Sequence, residues 1–287
     1  MPSGIIIIDK PAGWTSHDVV AKLRRVYSER RIGHAGTLDP MATGVLPVFV
    51  GRATRAVEFA AETDKEYLAG LRLGITTDTQ DVTGTVLDTR PVTITPDQVK
   101  GMLPRFTGPI LQLPPMYSAL KVGGKALYKF AREGREVERL PRPVTIYELK
   151  MLSQTGESDY ALRVSCSKGT YIRTLCHDLG QALGCGGVLS SLRRTKAAGF
   201  TLQSAVTMDT VLSHPSPQSL LLPVDRYFDR YPSLAIDAEA EKKIRNGAAI
   251  ASPGEDGEYR VYGPGGFLML GERAGNQLSV IKSFFEV

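Results

Sequence analysis

Ile5-Ile6-Ile7-Ile8 is an uninterrupted apolar run closed by the turn residues Asp9-Lys10-Pro11-Ala12-Gly13, a pattern that predicts a short strand. From about His17 the spacing changes. Val19, Val20, Leu23, Val26 and Tyr27 share one face of a helix, with Ser16 expected as its cap. Residues 31–51 follow neither period, are rich in Gly, Pro and Thr, and read as a long irregular loop of the kind that carries function. Residues 65–74 then alternate as a strand, 76–84 form a polar connection and 82–88 a further strand, together a meander. Thr95-Pro96-Asp97 starts a helix through Val99, Met102 and Leu103 that Pro104 ends. Further along, a short helix is predicted at 125–133, strands at 144–152 and 160–167, and a helix from Thr170 to about Leu183 closed by Gly184. The tail alternates short strands at 259–262, 267–271 and 278–284 with one helix at 237–246, capped by Gly247, which suggests a small β-rich barrel.

Composition excludes several classes. The chain has 287 residues, 42% of them hydrophobic, yet no apolar run approaches the roughly 20 residues that cross a bilayer. The N-terminus has no basic segment followed by an apolar stretch, so the cytoplasm is the expected location. Cys166, Cys176 and Cys185 form no CxxC pair and give no disulfide framework. His17, His34, His177 and His214 lack metal-ligand spacing, so no metal is expected. The net charge of +5 permits a polyanionic partner, and its distribution says more than its sum. Residues 121–150 carry eight Lys/Arg against four acids, residues 163–196 six against one, while 232–287 reverse to six basic and eight acidic. That reversal supports a separate terminal module.

The passage Gly33-His34-Ala35-Gly36-Thr37-Leu38-Asp39-Pro40-Met41-Ala42-Thr43-Gly44-Val45-Leu46-Pro47 is the most unusual in the chain. Its glycines let backbone approach a ligand, and Pro40 restricts the conformation of Asp39 and fixes its direction. Taken alone, Asp39 reads either as a presented acid or as an Asx-turn, and His34 either as a site group or as a hydrogen-bonded loop histidine.

The passage resembles the G-H-x-G-T-L-D-P-x-A-x-G-V-L-P signature of the TruB family, the bacterial tRNA pseudouridine-55 synthases. Further similar stretches follow in the family's order: Asp9-Lys10-Pro11-Ala12-Gly13-Trp14-Thr15-Ser16, Lys65-Glu66-Tyr67 with Leu73-Gly74, Pro114-Pro115-Met116-Tyr117-Ser118-Ala119-Leu120-Lys121, Cys166-Ser167-Lys168-Gly169-Thr170-Tyr171-Ile172-Arg173-Thr174-Leu175, and Leu192-Arg193-Arg194-Thr195. The resemblance implies an α+β fold. A pseudouridine-synthase catalytic domain with a mixed, largely antiparallel sheet would span 1–231 and a PUA-like RNA-binding barrel 232–287.

It also implies an isomerisation of uridine at position 55 in the T-loop of tRNA, by base flipping and without a cofactor. Asp39 would be the essential acid and Arg173 the cation that keeps it charged. Tyr67 would stack on the flipped base, Tyr171 and Leu192 would wall its pocket, and His34 would fill the space the nucleotide leaves. Lys10 and Pro11 are expected to brace the Asp39 loop. The basic segment 121–142, with Lys121, Lys125, Lys129 and Arg132, is similar to the RNA-gripping insertion of the family, and its cations would contact phosphate. A monomer acting on the T-arm with no obligatory protein partner and no membrane is expected. Two alternatives remain open: a pseudouridine synthase that is guide-dependent or acts on another RNA, and a non-catalytic tRNA-binding chaperone.

Overall fold

The computed structural model describes residues 2–285; Met1, which begins the predicted catalytic domain, and Glu286 and Val287, which end the predicted tail, lie outside the described residues. A ten-stranded sheet forms the centre, with its main path running in the order Val206–Thr207, Gly4–Lys10, Thr43–Val50, Gly187–Ala197, Lys65–Leu73, Asp159–Cys166, Arg142–Gln154, Gly108–Gln112. Two pairings are parallel, Gly4–Lys10 with Val206–Thr207 and Thr43–Val50 with Gly187–Ala197, and the other five along the path are antiparallel. The mixed, largely antiparallel sheet of the α+β reading is therefore present.

Ile5–Ile8 explains why the first strand shows no alternation. Ile6 and Ile8 face a core shared with Val19, Val20 and Leu23 of the first helix and Leu175 and Leu179 of the helix Ile172–Ala182. Ile5 and Ile7 face a second core with Phe49, Ala53, Tyr227 and Phe228. All four isoleucines are at most 1% exposed, so both faces of this strand are covered and a polar residue has no place on either. The second core extends into the tail, where Leu270 and Phe284 pack against the same cluster.

The tail is a separate five-stranded sheet in the order Ser233–Ala235, Gly257–Gly263, Gly266–Ala274, Gln277–Ser283, Ile250–Ala251, a curled half-barrel of PUA-like character. Its helix, Ala238–Arg245, has Asp237 as the capping side chain on Ala240 N–H.

Several sequence expectations need correction. The first helix is Ser16–Tyr27, and its cap is Thr15, which forms a capping box with Asp18; Ser16 is buried and serves the loop described below. The later helix starts at Ile172, with Tyr171 at the cap position and no side-chain cap, because Thr170 donates instead to Ser167 C=O. Residues 31–51 are not all irregular: Ile32–His34 and Thr43–Val50 are strands. Pro47 hid the second one. It falls between the stretch paired with Gly187–Ala197 and the stretch paired with Ile32–His34, where the missing N–H breaks no ladder. The strand predicted at 82–88 is Val86–Thr89, paired with Ile75–Thr77. Residues 125–133 begin as a hairpin, Lys121–Val122 with Lys125–Ala126, before the helix Leu127–Arg132. The sequence pattern predicts no element around Leu192-Arg193-Arg194-Thr195, yet Gly187–Ala197 is an eleven-residue strand at the centre of the sheet.

Gly44 marks how closely that strand approaches. It has φ 101° and pairs with Arg194, and a Cβ there would lie 2.2 Å from the Arg194 carbonyl oxygen. Gly44→Ala is therefore expected to lower unfolding stability by about 3 kcal/mol or more, from the left-handed backbone plus overpacking. Urea unfolding would show this as a reduced midpoint; an unchanged midpoint would contradict the contact.

Candidate active site

Asp39 lies in the connection between Ile32–His34 and Thr43–Val50, and that connection is held from three directions. Ala42 N–H donates to Asp39 C=O at 3.0 Å, closing the turn. Leu38 N–H donates to Ser16 Oγ at 2.9 Å and the Ser16 hydroxyl donates back to Leu38 C=O at 3.2 Å. On the far side, Pro40 C=O accepts from Gly13 N–H at 2.8 Å and from the Lys10 ammonium at 3.3 Å. The same ammonium donates to Pro11 C=O at 2.8 Å and Trp14 C=O at 2.6 Å, so its three donors all meet backbone oxygens. Lys10 is a brace. Burial lowers its pKa to about 8, with Asp39 pulling it back upward.

Arg173, the second residue of the helix Ile172–Ala182, meets Asp39 in a two-pronged fork. Its Nε is 2.9 Å from Asp39 Oδ2 and its Nη2 donates to Oδ1 at 3.1 Å. The guanidinium is fixed further by Thr79 C=O at 3.0 Å and Tyr117 C=O at 2.8 Å. A second carboxylate, Asp81, stands 3.7 Å from Nη1. Asp81 Oδ1 is occupied by the Thr79 hydroxyl and by both the N–H and the hydroxyl of Thr83 at 2.6–2.9 Å. Arg173 is 5% exposed, whereas the Asp39 side chain keeps 34% of its surface open. A fixed cation therefore lies behind a carboxylate that can still meet a ligand. Burial raises the Asp39 carboxyl above the ordinary carboxylate range, and Asp81 adds to that; Arg173 and Lys10 pull it down.

Tyr67, on Lys65–Leu73, is 7% exposed and pairs across the sheet with Arg194 of Gly187–Ala197. Leu192 pairs with Ala69, two residues along each strand, so Leu192 and Tyr67 are diagonal neighbours on one face. Burial raises the Tyr67 phenol, Arg194 opposes this, and Asp39 is near enough to be felt. His34 sits edge-on to His17 with ring centroids 5.6 Å apart, and its buried Nδ1 has no hydrogen-bond partner. Burial, with His17 and Arg194, lowers its pKa to about 4, so the ring is neutral at neutral pH. Tyr171 is tied by its backbone to Gln112, which accepts from its N–H at 3.0 Å and donates to its C=O at 3.2 Å.

The predicted RNA-contacting cations stand apart from this group. Lys121, Lys129 and Arg132 are exposed, while Lys125 is paired with Glu133 and lies over the Phe130 ring. The insertion joins the site through its base: Tyr117 C=O is on Arg173, and the neighbouring Ser118 C=O accepts from Tyr128 N–H at 3.0 Å. Among the described residues no cluster of three His, Cys, Asp or Glu side chains has the arrangement to hold a metal. The sequence reading missed Asp81, Gln112 and the role of Arg194. For Asp81 a signal existed, an acid inside Thr77-Asp78-Thr79-Gln80-Asp81-Val82-Thr83-Gly84, a turn too rich in hydroxyls to be a passive connection.

A mixed sheet thus presents a carboxylate from a glycine-rich loop, grips it with a buried arginine and holds a tyrosine near enough to feel its charge. Residues 24–172 match the family model described as TruB family pseudouridylate synthase (N terminal domain), and 173–229 match tRNA pseudouridylate synthase B C-terminal domain. The chain belongs to the TruB family. It is 46% identical over 276 residues to tRNA pseudouridine synthase B of Aromatoleum aromaticum, covering 95% of this chain and 89% of that one. It is 42% identical to the protein of the same name from Clostridium kluyveri, covering 98% and 99%. Among solved structures, a chain of a Cbf5-Nop10-Gar1 complex is similar at TM-score 0.74 and 26% identity, covering 98% of this chain and 85% of that one.

Proposed function

We propose that this tRNA uridine isomerase acts at position 55 in the T-loop, with Asp39 as the catalytic carboxylate and the target nucleotide flipped out of the RNA. The observation that carries this reading is the Arg173 fork on a partly open Asp39, a negative charge held in one place and still reachable. The reaction breaks the bond from the sugar to N1 of uracil, forms one from the same sugar carbon to C5, and returns the C5 proton to solvent while N1 gains one. Atoms and electrons balance within the nucleotide, so a carboxylate, a pocket for the detached ring and exclusion of water meet the chemical need. Tyr67 stacks on the ring, worth about 1–3 kcal/mol, with Tyr171 and Leu192 as further walls. His34, neutral and lacking a partner for Nδ1, takes the place the nucleotide leaves.

In this reading the protein divides near residue 231 into a catalytic domain, 1–231, and a PUA-like domain, 232–287. It works in the cytoplasm as a monomer with no obligatory protein partner. The T-arm is recognised chiefly by shape, and Lys121, Lys125, Lys129 and Arg132 contact its phosphates. Lys129→Ala and Arg132→Ala, at exposed positions, are each expected to raise KM with kcat unchanged and to shallow the salt dependence of binding by about one unit of slope. Titrating affinity against salt checks this, and unchanged slopes in both variants would remove the insertion from the interface.

Purified protein mixed with a T-arm stem-loop carrying C5-tritiated uridine tests the reading as a whole. Stoichiometric tritium release, with pseudouridine mapped to position 55, is expected. Release that requires a guide RNA or a partner protein, or that maps elsewhere, would instead favour the guide-dependent class.

A further inference from the structure

Arg194 lies beneath the site, 1% exposed, and no carboxylate pairs with it among the described residues. Its Nε donates to Val45 C=O at 2.7 Å and its Nη2 to Gly36 C=O at 2.9 Å. Those two carbonyls bracket the segment that carries Asp39, one on each side. Gly36 has φ 76°, and a Cβ there would stand 3.2 Å from Arg194 Nη1, so a glycine is what lets the backbone come this close. Across the sheet Arg194 stands directly opposite Tyr67, its antiparallel partner. A buried cation is costly to desolvate, and an apolar side chain of similar length would fill the same space without that cost. What an apolar side chain lacks is a planar set of donors able to hold two carbonyls at once. The charge is also felt at Lys10, His34 and Lys65, which surround the same loop.

We propose that Arg194 is a positioning residue for the isomerisation: its fork ties both ends of the Asp39 segment to the strand position opposite Tyr67, fixing the spacing between carboxylate and stacking ring. This rests on the reading of Asp39 as the catalytic group. Arg194 itself does not reach the nucleotide. A displacement of about 1 Å between positioned groups costs on the order of 100-fold in rate while leaving substrate affinity nearly intact, because phosphate contacts lie elsewhere.

The test compares Arg194→Lys and Arg194→Met with Asp39→Asn, measuring single-turnover tritium release, T-arm affinity and melting temperature. A lysine keeps the charge and meets only part of the fork. The expected result is a rate about 100-fold down in Arg194→Met and about 10-fold down in Arg194→Lys, with affinity within about threefold in both. A folded Arg194→Lys enzyme with a rate within threefold of the unmutated protein would overturn the assignment. So would rate losses matched by equal losses of affinity, or failure of both variants to fold, since each would make Arg194 a structural residue only. Full activity in Asp39→Asn is a separate outcome. It would overturn the catalytic reading itself, and the inference with it.

Discussion

Asp39→Asn is expected to reduce tritium release from a T-arm substrate by about 10⁴-fold or more while leaving RNA affinity within about tenfold. The amide keeps the shape of the carboxylate and can still accept one hydrogen bond from Arg173, so the loop, held by Ser16, Gly13 and Lys10, has no reason to move. What is lost is the charge. In the proposed reading RNA binding depends on cations distributed over the surface and on the shape of the T-arm, neither of which changes. Retained release would sink the catalytic reading, whereas loss of binding along with turnover would make Asp39 a contact residue. A pH profile supplies a second check. Burial sets the Asp39 carboxyl above the ordinary carboxylate range, so the active ionised form is lost on acidification sooner than a solvated aspartate would lose it. The acid limb of kcat should accordingly sit above the usual carboxylate region, and a limb below it would contradict the burial.

Arg173→Ala is expected to cost about 100- to 1,000-fold in kcat, with a smaller effect on RNA affinity, and about 2–4 kcal/mol of stability. Both effects have the same source. The guanidinium, 5% exposed, satisfies Asp39 bidentately and also two backbone carbonyls, Thr79 and Tyr117, and removal leaves all of them short of a donor. The stability loss stays below the cost of a fully buried pair because a third of the Asp39 side chain remains in water, 34% by surface. Electrostatics adds a signature that a packing defect lacks. Arg173 holds the Asp39 pKa down against burial and Asp81, so the acid limb must move to higher pH when the cation is gone. If rate and affinity fall together and the limb stays in place, Arg173 serves the fold alone.

Legibility varied with how local the cause was. The first helix, the alternating strand Lys65–Leu73 and the antiparallel neighbours Arg142–Gln154 and Asp159–Cys166 could be read because period and turn residues sit within each segment. Gly187–Ala197 could not. Its Ser190, Ser191, Arg193, Arg194, Thr195 and Lys196 look like surface, and two register shifts break the alternation. Those polar residues are tolerated at the centre of a sheet because specific partners wait for them. Arg193 is paired with Asp9 at 2.7 Å, Thr195 donates to Glu66 at 2.9 Å, and Arg194 has its carbonyls. Thr43–Val50 was hidden by Pro47 for a similar reason, since only the pairing pattern shows that its N–H is not needed.

The amino-acid sequence alone pointed to Asp39, Arg173, Tyr67, Leu192 and His34 as candidate site groups, because the motifs that resemble the family's are contiguous short stretches. It also determined the tail as a separate sheet-forming segment, because charge and turn spacing change there. The folded arrangement was needed to show that Arg173 grips Asp39 with both prongs, that Asp81 stands behind them, and that Arg194 holds the loop at Gly36 and Val45. Each of these depends on a distance between residues far apart in the chain, set by strand register and helix packing. Local periodicity carries no information about either.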